Sequence, residues 1–383
     1  MVATDVSVLA TAPAPPSSRN GGIDALRAAL TGLVVLHHAA LTYGGTGGWF
    51  YREIAPSAAP SSLLLTLFCT VNQAWFMGLF FLIAGYLTPG AVERRGVAGF
   101  LTERLVRLGL PLVVFGFVLG PVTVALSATA KGHDFLAALG AVWLRVPFIP
   151  GPLWFAEALL LFSAAYALWR RVAGAPPAAI GFPSNRALAA AAVATGAAAF
   201  LIRLAWPVGK EFLALQFGYF ASYVVLFAAG CIGAQARWLE RIPPRQAVLW
   251  RRIALAALMV FPLLAVAAAT TPTLAGPPTG GFNVMAAVYA IWEPLVAWGA
   301  IMTLLVAFEA RFDRLDAFWS AAARRAYLVY IIHPPVLVGV SLLLRGLAAP
   351  ALVKFALAGG LAVALCFLLA GLLLRLAMLR RVV

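Results

Sequence analysis

The stretch IDALRAALTGLVVLHHAALTYG, from Ile23 to Gly44, decides the architecture. It is apolar over a length that can cross a hydrocarbon core, which takes about 20 helical residues. Yet it carries Asp24, Arg27 and His38. At about 100° per residue these three share an arc of roughly 80° with Thr31 and Val34, and His37 points about 100° away from His38. His38 lies about 21 Å along the helix from Asp24, well inside the membrane. Ionisable groups at such depth are costly, so each is a functional candidate. Two readings stand side by side. In one, Asp24 and Arg27 form an i,i+3 ion pair at the interface and His38 completes a buried hydrogen bond. In the other, His38 is a neutral imidazole that takes a proton from a hydroxyl near pH 7.

The rest of the chain has the same character. Of its 383 residues 63% are hydrophobic and 11% charged, where a soluble domain carries about 25% charged residues. The mean hydropathy is +0.95. Ten apolar stretches are long enough to span, near 24–43, 62–87, 100–126, 152–169, 186–206, 213–235, 251–270, 283–308, 326–344 and 351–376. They must be helices, because a lone strand in lipid leaves its backbone groups unpaired. The expectation is an all-α polytopic membrane protein, with one transmembrane domain over 21–383 behind a disordered tail, 1–20. That tail lacks the basic and apolar regions of a cleavable signal.

A net charge of +15 raises the question of nucleic acid, but the basic residues sit in short loops and report topology. Of the 28 Lys and Arg, 7 fall on one side: Arg52, Lys131, Arg145, Arg203, Lys210, Arg345 and Lys354. The other 21, among them Arg27, Arg94, Arg95, Arg237, Arg314 and Arg324, fall on the opposite side, which is therefore cytoplasmic. Both termini are then cytoplasmic and the number of crossings even. The longest outer loops, near 44–61 and 127–151, are rich in Gly, Pro and aromatics, and the latter holds His133, a surface residue. Cys69, Cys231 and Cys366 are isolated in apolar runs, a pattern for neither a disulfide frame nor zinc. No metal motif, nucleophile elbow or phosphate loop is present. Gly116 and Gly120 form a GxxxG pattern that permits close helix contact.

Four further segments carry polar residues out of place. In FLTERLVRLGLPLVVFG, from Phe100, Arg104 and Arg107 lie past the start of the apolar run, where guanidinium groups suit phosphates. In PGPLWFAEALLLF, from Pro150, Trp154 and Glu157 are one turn apart. That is a way to hold a sugar by stacking and by accepting hydroxyls, and equally an interfacial aromatic belt. Glu293, in IWEPLVAWG, lies near mid-depth before a proline. His333, in AYLVYIIHPPVL, precedes Pro334 and Pro335, with Tyr327 and Tyr330 close by. A broken helix with a polar residue at the break lines a cavity, or the imidazole bonds to the carbonyls that the prolines free.

In this order, DALRAALTGLVVLHH, FMGLFFLIAGYL, FLTERLVRLGLPL, GPLWFAEALL and YLVYIIHPPVL resemble the membrane acyltransferase family 3, with its surface-polysaccharide O-acetyltransferases, and its glucan biosynthesis protein C-like branch above all. The resemblance covers nearly the whole hydrophobic chain. It implies an O-acyltransferase in a bacterial cytoplasmic membrane, moving an acetyl or succinyl group from acyl-CoA to a hydroxyl of an extracytoplasmic glycan. By the family pattern, His38 with Asp24 and Arg27 is catalytic, and Arg104 and Arg107 meet the acyl-CoA co-substrate. Trp154, Glu157, Glu293, Tyr330 and His333 are expected on the substrate side, with no metal and no permanently bound cofactor. Some relatives append a soluble hydrolase-like domain, and this chain, ending soon after the tenth stretch, is expected to act alone or with a partner. The rival reading is a carrier with a polar core of His38, Glu157, Glu293 and His333.

Overall fold

The computed structural model describes residues 20–174, 179–271, 276–312 and 314–382. The tail expected over 1–20 lies outside them except for Asn20, whose side chain caps the first helix by accepting from the Ile23 amide at 2.9 Å. That helix, α1, is Gly21–Thr42. It is followed by α2 (Pro60–Thr129), α3 (Phe135–Arg145), α4 (Gly151–Ala173), α5 (Asn185–Ala205), α6 (Phe217–Gly233), α7 (Pro244–Thr270), α8 (Val284–Arg311), α9 (Ala317–Leu343), α10 (Ala351–Leu373) and α11 (Ala377–Val382). The described residues form an all-α protein with no strands, and eight of these helices are long and apolar enough to cross a membrane.

Two of the ten expected stretches share α2, which is broken at Gly96. There φ is 70° and ψ 169°, a region open essentially to glycine alone. Around this break the chain doubles back. Arg95 meets Glu103 at 3.2 Å, and Ala84 and Leu87 on the first limb line the same cavity as Arg104 and Leu108 on the second.

Close helix crossings depend on small residues, as expected where van der Waals packing drives association in lipid. On α2, a Cβ at Gly85 would overlap the Phe227 carbonyl of α6, and one at Gly230 of α6 would overlap the Leu82 carbonyl of α2. Gly85→Ala is therefore expected to force these helices apart and cost about 1–3 kcal/mol. A lowered unfolding midpoint of the purified protein in detergent would show it. The GxxxG pair does something other than expected. Gly116 and Gly120 accommodate Phe148 and Ile149 of the extended segment before α4, not another helix, and the Ile149 amide donates to the Gly116 carbonyl at 2.8 Å. The outer loop expected over 127–151 also differs, because Asp134 caps a helix there, α3, none of whose residues is buried.

Prolines within helices leave the carbonyl four residues earlier without a donor, and side chains supply it. Pro111 frees the Arg107 carbonyl, which accepts from the Tyr327 hydroxyl at 2.6 Å. Pro121 frees that of Phe117, which accepts from Trp143 Nε1 at 2.9 Å. Pro334 frees that of Tyr330, with consequences for the site.

Helix α1 runs parallel to α9, with Ala28 against Ala322 and Ala326 and, further along, His38 against His333. It runs antiparallel to α10, with Gly32 near Val363 and Gly359 near Leu36 and Ala39. The starts of α1 and α9 and the end of α10 therefore share one face. Arg27, Arg237, Arg314 and Arg324 gather on that basic face. On the opposite face Lys354 pairs with Glu53 and donates to the Arg345 carbonyl.

Candidate active site

The site starts from the proline step in α9. Pro334 has no amide hydrogen, so the Tyr330 carbonyl has no helical partner. His333 Nδ1 lies 2.7 Å from that oxygen. A carbonyl only accepts, so His333 Nδ1 carries the proton, and Nε2 of the neutral ring is an acceptor. Nε2 lies 3.0 Å from His38 Nδ1, which must then be the donor. In neutral His38 the remaining nitrogen, Nε2, holds a lone pair. One missing amide hydrogen on α9 thus orients both rings and leaves Nε2 of the imidazole on α1 as an acceptor. His333 is fully buried, while His38 is half-buried. Of the two sequence readings of His333, the structure shows the bond to the freed carbonyl, and the other ring nitrogen meets His38.

His37 stacks on Phe76 with ring centroids 5.0 Å apart and meets the His38 ring edge-on at 5.6 Å, but the hydrogen bond to His333 is made by His38. Helical phase puts the two adjacent side chains about 100° apart on α1.

Trp49 covers the pair. Its ring lies 4.0 Å from that of His38 and 5.9 Å from that of His333, within 14° and 11° of parallel. It belongs to the segment after α1, which is tied down at several points. The Ile54 amide donates to the Thr42 carbonyl at 3.1 Å, Ser127 Oγ donates to the Phe50 carbonyl at 2.7 Å, and Glu53 meets Lys354. Sequence reading missed Trp49 because an aromatic in a glycine-rich loop reads as a membrane-interface residue. Trp49→Ala is expected to lower kcat several-fold, in line with the roughly 0.5–1.5 kcal/mol of an aromatic stack. Phe should restore most of it, and unchanged turnover in the alanine variant would count against a covering role.

From the basic face a cavity of about 200 Å³ leads inward between α1, both limbs of α2, α4 and α9. Arg27, Thr31, Arg104 and Arg107 line it, with Phe155 and Tyr330 among its other walls. Tyr330 is one turn before His333. The structure thus joins Arg27, Arg104, Arg107 and Tyr330, chosen from three separate segments. Arg27 is 3.6 Å from Asp24, Arg104 lies over the Phe100 ring at 5.1 Å, and Arg107 is 3.6 Å from Glu103. The Tyr330 hydroxyl donates to the Pro152 carbonyl, which docks the start of α4 against α9. A π-helical turn over Leu105–Gly109 carries Arg107, and such turns are frequent at functional sites.

The other candidates lie elsewhere. Trp154 stacks on Tyr223 at 5.7 Å. Phe155 and Leu159 are the residues of α4 that line the cavity, and at about 100° per residue Glu157 sits roughly opposite them. Glu293 is buried against Arg203 of α5, whose Nε donates to the Gly218 carbonyl at 2.9 Å and whose guanidinium faces the rings of Tyr219 and Tyr289 at 5.5 and 5.1 Å. Glu293 therefore has an ionic partner in place, and sequence reading put Arg203 in the outer group without seeing that bond. Among the described residues no three His, Cys, Asp or Glu side chains gather as metal ligands.

A family model described as an acyltransferase domain matches residues 20–371. No curated protein and no solved structure matches the chain. The matched span contains the histidine pair, its tryptophan cover and the arginine-lined cavity, so the chain belongs to the acyltransferase 3 family and is a multi-pass membrane acyltransferase.

Proposed function

We propose that the protein is an O-acyltransferase that takes an acetyl or succinyl group from acyl-CoA at its basic, cytoplasmic face. It passes the group to a hydroxyl of a glycan reaching His38 from the opposite face of a bacterial inner membrane. The observation that carries this reading is the chain from the Tyr330 carbonyl through His333 to His38, which leaves His38 Nε2 as a base. The donor lies in the cavity of Arg104 and Arg107, with its thioester towards Tyr330 and His38. His38 Nε2 takes the acceptor's proton as its oxygen attacks the thioester carbonyl. The carbon–sulfur bond then breaks, and His38 Nε2 gives the proton to the departing sulfur, which leaves as the free CoA thiol. His333 Nε2 accepts the His38 Nδ1 hydrogen bond throughout, which holds the ring in place and supports its transient positive charge.

The acyl class and the glucan-like acceptor rest on the sequence resemblance to the glucan biosynthesis protein C-like branch. The family match lends nothing to the carrier reading. The test uses purified full-length protein in detergent, incubated with acetyl-CoA or succinyl-CoA and a glycan fraction from a deletion strain. Release of free CoA thiol, with a matching mass increase on the glycan, is expected. Glycans that gain no acyl mass from either donor, and that are identical in deletion and parent strains, would overturn the proposal.

A further inference from the structure

A second and larger cavity opens at the basic face and has no role in the chemistry above. Its volume is about 650 Å³, within the range of small-molecule sites. Arg27, Arg237, Arg314 and Arg324 line it against two carboxylates, Asp24 and Glu309. Among the described residues that is, by formal charge, four positive groups against two negative. The first turns of α1 and α9 also border it, through Gly21 and Ser320, so two parallel helices point their positive dipole ends at the same space. Arg237 is held in the left-handed region, at φ 54° and ψ 50°. That conformation is costly for a residue with a side chain, and the Arg237 guanidinium lies 3.7 Å from Glu240. Phe312 supplies an aromatic wall.

The two cavities are joined by a shared residue. Arg27 lines both. Beyond it the inner cavity, at about 200 Å³, is too small for a nucleotide but suits a slender chain. From Arg27 to His38 is eleven residues of α1, about 16 Å, a distance that an extended pantetheine arm spans.

We propose that the outer vestibule is the nucleotide site, binding the 3′-phosphoadenosine diphosphate half of acyl-CoA. Arg237, Arg314 and Arg324 meet its phosphates and Phe312 its base. Arg27 takes the diphosphate at the junction, and the pantetheine arm passes Arg104 and Arg107 to deliver the thioester to His38. This rests on acyl-CoA being the donor. It divides recognition from chemistry: the vestibule selects CoA over shorter thiols and the inner cavity places the reacting carbonyl.

The test measures binding of CoA, of pantetheine and of adenosine 3′,5′-bisphosphate to the purified full-length protein in detergent. The wild type should bind CoA at least tenfold more tightly than pantetheine, and adenosine 3′,5′-bisphosphate should compete with CoA. In the Arg314→Gln, Arg324→Gln double variant the CoA-to-pantetheine affinity ratio should fall roughly tenfold or more, as for lost hydrogen bonds to charged groups. Arg104→Gln should weaken CoA and pantetheine together, leaving the ratio in place. A double variant with the wild-type ratio would overturn the vestibule site while leaving acyl-CoA as donor. A wild type that binds neither CoA nor pantetheine would remove the donor reading, and the vestibule site with it.

Discussion

His38→Ala is expected to lower acyl transfer about 10²–10⁴-fold, the usual contribution of a positioned general base. Expression, membrane insertion and CoA binding should stay near wild type, because the ring is half-buried. His37→Ala should cost far less, since that ring packs on Phe76 and touches His38 only edge-on, outside the hydrogen-bonded pair. The partner makes the test sharper. His333→Leu removes the acceptor for His38 Nδ1 and leaves the Tyr330 carbonyl uncapped. A fall in kcat of about 10–100-fold is expected from loss of a hydrogen bond that supports a charge, with KM for the donor little changed. Gln at 333 keeps an acceptor and should recover part of the loss. Mass spectrometry of rapidly quenched enzyme adds a check, since an acyl group found on His38 would make the imidazole a nucleophile instead of a base. Wild-type turnover in His38→Ala would end the mechanism, and damage from His37→Ala as great as from His38→Ala would assign it to the wrong ring.

The second large effect concerns stability. Arg203 and Glu293 are both buried, and their ion pair joins α5 to α8. Removing one partner strands the other charge, so Arg203→Met is expected to destabilise the protein by about 3–5 kcal/mol. Adding Glu293→Met should return most of that, because a buried pair replaced by apolar groups is often neutral. Unfolding of single and double variants in the same detergent reads the difference. Transfer activity separates two roles for Glu293. If the double variant folds and still acylates, the carboxylate serves the fold. If it folds with wild-type stability and is inactive, Glu293 belongs on the substrate side as the sequence first suggested.

The sequence alone settles the solvent and the helices, and it singles out His38 as the candidate base. Apolar runs about 20 residues long leave no structure but helices in lipid, and the helical period separates His38 from His37. It also shows where helices are disturbed, since Pro111 and Pro334 each remove an amide donor that a regular helix needs. Tertiary structure decides who answers each disturbance. That Tyr327 caps the Arg107 carbonyl, that His333 caps that of Tyr330, and that Glu293 finds Arg203 depends on which helices are neighbours. The partners are far apart in the chain and carry no local signal. Glu157 and Trp154 are instructive in the opposite sense. Their spacing suits a sugar site, but the phase of α4 is set by Phe155 and Leu159 facing the cavity, which turns Glu157 away. A residue's chemistry is written in its type and spacing. Its role waits on packing, because in a bundle of apolar helices many rotations about each axis bury similar area and only the assembled neighbours choose among them.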